Sequence, residues 1–293
     1  MKQIKRVVIV GGTHGNELTG IFLVKKFERS PELIVRSNFE SLTLLGNPKA
    51  YAIGRRYVET DLNRCFQRQI LENRNLSSYE AIRAQEIYKI IGCKGSHPAD
   101  LIIDLHSTTA NMGLTIIPAS KHPFNLQLAA YLTSTNPDVK VYRWQETNQD
   151  SPFLRSICEF GCAIEVGPIA PGVLDATLFQ QTEALIHAIL DYVEAYNKKI
   201  KPEVKDSLTI YQTIQVVDYP RNESGEIQAM IHPRLQFRDY QELHPGEPMF
   251  LTFDGQGILY EGESIVYPAF INEAAYYEKG IAMCLTQEQR EIV

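Results

Sequence analysis

Apolar residues in the first two-thirds of the chain come in short runs that end at glycine or polar turns, and stretches of helical spacing separate them. Val7 to Val10 form the first run, closed by Gly11 and Gly12, and residues 17–29 then read as a helix. Residues 42–45 make a second short strand, broken by Gly46, Asn47 and Pro48. Ser77 and Glu80 have the spacing of a capping box, ahead of a helix with Ala81, Ala84, Tyr88 and Ile91 on one face. Residues 101–105 (LIIDL), 113–117 and 163–166 read as further strands. A long helix carrying Leu178, Leu185, Ile189, Tyr192 and Tyr196 follows. Strands alternating with helices predict an α/β fold with a mixed, largely parallel sheet flanked by helices.

The pattern changes at residues 198–206, a charged stretch containing Pro202, beyond which strands and turns dominate (208–217, 228–231, 249–253, 258–260). This predicts a domain over 1–205 that carries the chemistry and a smaller β-rich domain over 206–293. Hydrophobic residues at 44% and charged residues at 22% suit a globular chain, and 293 residues suffice for a core without disulfides. The net charge of -6 is spread without blocks, which excludes a general nucleic-acid binder. Any anionic ligand must therefore be held by local arginines. The five cysteines form no framework, and Cys158 and Cys162 are spaced CxxxC, so buried free thiols in a reducing compartment are expected. The apolar run at 7–10 is too short for a leader, and no stretch approaches the ~20 apolar residues of a membrane span. A cytoplasmic protein with no membrane partner is expected.

The sharpest local feature is Gly11-Gly12-Thr13-His14-Gly15-Asn16-Glu17, placed where an apolar strand ends and open α/β sheets bind ligands. His14 and Glu17 offer an imidazole and a carboxylate, and glycines let the backbone turn tightly enough to aim both at one point. A catalytic zinc site uses three protein ligands and keeps one position open. The third candidate is His106, in Asp104-Leu105-His106 after another apolar strand. Asp104, two residues earlier on the same strand face, can accept a hydrogen bond from the far ring nitrogen of His106. The glycine loop lacks the lysine of a phosphate loop, the GxGxxG spacing and a nucleophile elbow. Glu165, amid apolar neighbours at a strand end, is the candidate general base, since burial raises a carboxyl toward a useful value. Arg56, Arg64 and Arg155 lie in loop-like contexts, Asn63 beside Arg64. Guanidinium groups suit a substrate carboxylate or a developing oxyanion, and the alternative for each is a solvated surface charge. Asp61 reads equally as an orienting group or a turn former, and His97, His122, His187, His232 and His244 as structural or solvated.

Taken together, GGTHGNELTG at 11–20, RRY at 55–57, DLNR at 61–64, DLHSTTANMG at 104–113, IEVGP at 164–168 and NEAAYYEK at 272–279 resemble one family. It is the aspartoacylase and succinylglutamate desuccinylase family, of the zinc carboxypeptidase-like group. The motifs run in family order over nearly the whole chain. The resemblance implies one Zn2+ per chain on His14, Glu17 and His106, with Glu165 as general acid and base. It implies Arg56 as the donor to the scissile carbonyl, and Asn63, Arg64, Arg155 and Tyr276 as substrate contacts. The activity it implies is hydrolysis of an N-acylated acidic amino acid, N-acetyl-L-aspartate giving acetate and L-aspartate, by a homo-oligomer (a dimer or larger). Where a further substrate-contacting tyrosine of the animal members aligns, this chain has Gln149-Asp150-Ser151-Pro152. N-acyl aromatic amino acids, succinylglutamate, and a non-catalytic zinc- or metabolite-binding module stay open as alternatives.

Overall fold

The computed structural model describes residues 2–144, 151–200 and 202–293. The chain runs β1 (Arg6–Gly11), α1 (Leu18–Arg29), β2 (Glu40–Leu45), α2 (Pro48–Ala52), α3 (Arg68–Leu71), α4 (Tyr79–Ile91), β3 (Leu101–Ser107), β4 (Gly113–Pro118), α5 (Pro123–Thr135), β5 (Val139–Arg143), β6 (Phe160–Gly167) and α6 (Ala176–Asn197). It continues through β7 (Ser207–Val217), β8 (Ala229–Ile231), β9 (Pro248–Thr252), β10 (Gly257–Leu259), β11 (Tyr267–Ala269) and β12 (Met283–Ile292). Among the described residues nine strands form one sheet in the order β11-β12-β7-β5-β4-β6-β3-β1-β2, and β10-β9-β8 form a second. Pairing is parallel from β2 through β1 and β3 to β6, antiparallel from β6 to β4, and parallel again through β5 to β7. The fold is the mixed, largely parallel α/β sheet flanked by helices that the alternation predicts.

Period-2 alternation assigns the two faces of this sheet. Val7, Ile9, Leu101, Ile103, Leu105, Cys162, Ile164 and Val166 pack with α1, α5 and α6 in one buried cluster. Val8, Val10 and Ile102 turn the other way, against α4 and the loop carrying Leu62 and Phe66. By the same parity Asp104 and His106 of β3, and Ala163 and Glu165 of β6, emerge on the α4 side. The candidate ligands therefore sit on one face, at the carboxyl ends of parallel strands.

Three expectations need correction. The cap of α4 is Ser78, whose Oγ accepts from Ala81 N, rather than Ser77. Glu80 is no capping-box partner, because its carboxylate is taken by a distant loop. Cys93 is exposed and Cys158 half-buried, and only Cys65, Cys162 and Cys284 are buried thiols. His187 is half-buried, edge-on to Phe27 and 3.8 Å from Glu183, rather than solvated. The boundary expected near residue 205 falls between α6 and β7, and β7 hydrogen-bonds to β5 in the main sheet.

Candidate active site

β1 ends in a turn that only its sequence permits. Gly12 has φ +70, where L side chains are rarely found. A Cβ on Gly15 would lie 2.2 Å from Tyr51 N, and Gly15 N instead donates to Arg56 O at 3.0 Å. This turn presents His14, and Glu17 stands at the start of α1. On β3, His106 is in register with Glu165 of β6, its neighbour on the same face.

Nitrogen and oxygen atoms of His14, Glu17 and His106 lie within 4.8 Å of one another, and all three residues are buried. Glu17 Oε1 is 2.6 Å from His14 Nδ1, and its Oε2 is 3.0 Å from His106 Nδ1. Each imidazole turns its far nitrogen to a carboxylate: His14 Nε2 lies 2.9 Å from Asp61, and His106 Nε2 lies 2.9 Å from Asp104. Those acceptors place the proton on Nε2 and leave a lone pair on each Nδ1. The two Nδ1 atoms then face each other at 3.2 Å, an arrangement that requires a proton or a cation between them. Two imidazole nitrogens and one carboxylate are the donor set of a three-ligand catalytic zinc site, and they suit other borderline divalent ions. The residues present fit such an ion.

Burial disfavours the charged form of His106, but Asp104 first and Glu17 second more than offset it and hold its pKa well above the ordinary value. Asp104 is itself fixed by Thr13 Oγ1 at 2.7 Å. Asp61 has both roles read from the sequence, because it also accepts from Asn63 N at the start of a short 3-10 turn. Its other oxygen accepts from Lys279 Nζ at 2.7 Å.

Glu165 lines the inner cavity, and its carboxylate has no hydrogen-bond or ion-pair partner among the described residues. Burial pushes its carboxyl up to about 8, Glu17 and Glu273 adding while His106 and Arg56 oppose. Arg56 donates Nη1 to Glu17 at 2.8 Å, and its buried Nε has no partner. Asn63 is locked by Leu154 N and lies 3.3 Å from His106 Nε2. The guanidinium groups of Arg64 and Arg155 lie 4.8 and 4.3 Å from the centre of one ring, Phe153. Arg155 is buried and meets no carboxylate within ion-pair distance among the described residues, and burial together with Arg64 lowers its pKa to about 10. Tyr276 is buried and lines the same cavity, packed on Phe270. The nine residues expected to hold the metal, act on the substrate or contact it thus line one cavity.

The inner cavity, of about 40 Å3, opens on an outer one of about 470 Å3, and both are bounded by Glu17, Arg56, Ser107, Glu273 and Ala275. Three contributors escaped the sequence reading: Glu273, Lys279 and Phe153. Glu273 is buried and takes hydrogen bonds from Thr108 Oγ1 and Thr109 N, fastening the C-terminal segment to the loop after His106. Its signal was its place inside NEAAYYEK. Of the segment aligned with the further tyrosine, Gln149 and Asp150 lie outside the described residues, and Ser151 and Pro152 do not line either cavity.

Residues 3–193 match the succinylglutamate desuccinylase/aspartoacylase catalytic domain, and residues 206–288 match the AstE/AspA barrel-sandwich hybrid domain. The chain is 58% identical to a probable aspartoacylase of Nostoc sp., over 99% of this chain and 98% of that protein. It is 40% identical to the human N-acyl-aromatic-L-amino acid amidohydrolase (carboxylate-forming), over 97% of this chain and 91% of the other. The crystal structure of murine aminoacylase 3 superposes with a TM-score of 0.94 at 38% identity, covering 100% of this chain and 98% of that one. The chain belongs to the succinylglutamate desuccinylase/aspartoacylase family.

Proposed function

We propose that this protein is a zinc-dependent amidohydrolase that removes the acyl group from N-acylated acidic amino acids, with N-acetyl-L-aspartate as the reference substrate. The observation that carries the reading is the pair of guanidinium groups on Phe153. One of them has no carboxylate partner among the described residues, and both share a cavity with the His14–Glu17–His106 cluster and the unpaired Glu165. A buried cation without a counter-ion is costly unless a ligand supplies one. A substrate with two carboxylates does so.

His14, Glu17 and His106 would hold the ion, with Asp61 and Asp104 fixing the two rings. Zinc, when bound there, supplies a Lewis acid that acidifies water to a pKa of about 7 and polarises a carbonyl. Glu165 takes a proton from the attacking water and passes it to the leaving amine as the C–N bond breaks, so acetate and L-aspartate result. Arg56, with its unpartnered Nε, donates to the carbonyl oxygen as charge builds there. Arg64, Arg155 and Asn63 hold the carboxylates, and Tyr276 closes the pocket from the C-terminal side. Segment 206–293 serves, in this reading, as the separate unit that forms one wall of the entrance, and the working protein is a homo-oligomer.

The rival substrate class is the N-acyl aromatic amino acids, favoured by the name of the human relative and by the Trp144, Phe153 and Phe270 lining. The two guanidinium groups at the inner end oppose it, because an aromatic side chain would leave them without a counter-ion. Assay of zinc-loaded protein on N-acetyl derivatives of aspartate, glutamate, phenylalanine and tyrosine, with succinylglutamate, decides the matter. A higher kcat/KM on the aromatic pair overturns the acidic reading, and zinc-loaded protein inert on all five favours a non-catalytic binding module.

A further inference from the structure

Glu80 stands outside both cavities, yet it is entirely buried and has no cation within ion-pair distance among the described residues. Its carboxylate instead accepts from three successive backbone N–H groups, Val58 at 2.6 Å and Glu59 and Thr60 at 3.1 Å each. A fourth bond comes from Asn47 Nδ2 at 3.1 Å. Burial alone would raise its pKa, but these donors outweigh it and hold the carboxyl below its ordinary value, so the group is an anion. The contact is reciprocal: Glu59 Oε2 accepts from Tyr79 N at the start of α4.

The loop held this way carries Arg56 at one end and Asp61 at the other. Its near end is tied to the turn bearing His14 through Gly15 N and Arg56 O, and its far end through His14 Nε2 and Asp61. Asn47 is the other half of the device. Its N donates to Gly12 O at 2.7 Å, and its side chain caps α2. One carboxylate therefore fixes the arginine loop relative to the glycine turn.

We infer that Glu80 is a positioning residue for the amide hydrolysis, acting through Arg56 by holding the Val58–Thr60 backbone at a fixed distance from the His14 turn. The inference rests on the role given to Arg56 above. Glutamine at this position keeps the shape but turns an NH2 against two of the four donors whichever way it is placed, so the loop loses its register with little change in volume.

The test is a double-mutant cycle on the zinc-loaded full chain, with Glu80→Gln, Arg56→Ala and the pair. Measurements are kcat, KM, zinc per chain and melting temperature. Glu80→Gln should lower kcat about tenfold or more, with KM within about threefold and zinc content unchanged. In the Arg56→Ala background it should cost less than about twofold, because the group it positions is gone. A role in folding alone would lower activity by the same factor in both backgrounds and overturns the inference. Should Glu80→Gln fail to fold, Asn47→Asp puts a second carboxylate 3.1 Å from Glu80 while keeping the acceptor for Ala50 N, and the same non-additivity is required of it. A crippled Arg56→Ala beside a fully active Glu80→Gln overturns the inference alone. A fully active Arg56→Ala overturns the functional reading and the inference with it.

Discussion

Asp104→Asn isolates what the buried carboxylate behind His106 contributes to metal binding. The site is clean, because Asp104 has no exposure and, among the described residues, two polar side-chain contacts, His106 Nε2 at 2.9 Å and Thr13 Oγ1 at 2.7 Å. Losing a hydrogen bond to a charged acceptor costs about 1.5–3 kcal/mol. Carboxylates behind ligating histidines are worth about 10- to 100-fold in metal affinity, which is the same size. A second effect runs the other way. Asp104 is the main charge that raises the pKa of His106 in the ion-free protein, so wild type must displace a proton to bind zinc up to a higher pH than the variant. Between the variant's His106 pKa and the wild-type one, wild-type affinity climbs about tenfold per pH unit while the variant's contribution from this group is flat. The wild-type advantage should therefore be small near pH 6 and grow to about 10- to 100-fold at high pH. Competition with a chromophoric chelator across pH 6–9 measures it. A ratio that stays constant with pH, or a variant that binds as tightly as wild type at pH 9, refutes the reasoning.

Glu165→Gln should cut kcat by about 10²- to 10⁴-fold with zinc content unchanged, checked by atomic absorption beside a steady-state assay. As a base Glu165 must be ionised, so kcat/KM of wild type should rise with pH through its pKa. Burial pushes that pKa up to about 8 from 4.5, and a bound dication draws it back, so the limb should fall between those values and vanish in the variant. Arg155→Met should raise KM for N-acetyl-L-aspartate about tenfold or more while changing kcat far less, since it removes binding shared by ground and transition states. An equal fall in kcat with unchanged KM would place Arg155 in the chemistry instead. Lys279→Met should leave His14 its Asp61 acceptor, so zinc stoichiometry should hold while chymotrypsin cuts the 274–279 segment faster. Unchanged cleavage would count against Lys279 as the tether.

The cluster was legible because each member obeys a local rule. Gly12 and Gly15 announce a turn that only small residues permit, and β1 and β3 end where their apolar runs end. The period of two on β3 puts Asp104 under His106. Glu80 shows where local rules mislead. Three residues after Ser77 it satisfies a capping box, but four donors from elsewhere outcompete the helix end, and Ser78 caps instead. Helix α5 escaped because Phe124, Leu128, Ala129, Ala130 and Leu132 are buried on more than one side, which erases the amphipathic stripe. Strand β12 escaped because its second half, Gln287 to Glu291, is polar and largely exposed at the far end of a long ladder with β7.

The same nonlocality explains why the C-terminal residues of the site were the least legible from physics alone. Nothing within NEAAYYEK says that Glu273 meets the loop after β3, that Lys279 meets Asp61 or that Glu278 meets Tyr57. Those contacts join residues 164, 218 and 221 positions apart. They exist because β7 adds to β5 and β12 returns along β7, which carries the 274–279 turn back over the carboxyl ends of β3 and β6. Each contact ends on a group that itself touches the cluster: Asp61 on His14, the 108–110 loop after His106, and Tyr57 next to Arg56. The cavity that would receive a substrate is thus walled by a segment whose placement depends on the edge strands of the same sheet that places the ligands. A loss of pairing at β5–β7 should then loosen Tyr276 and Glu273 while leaving His14, Glu17 and His106 in contact.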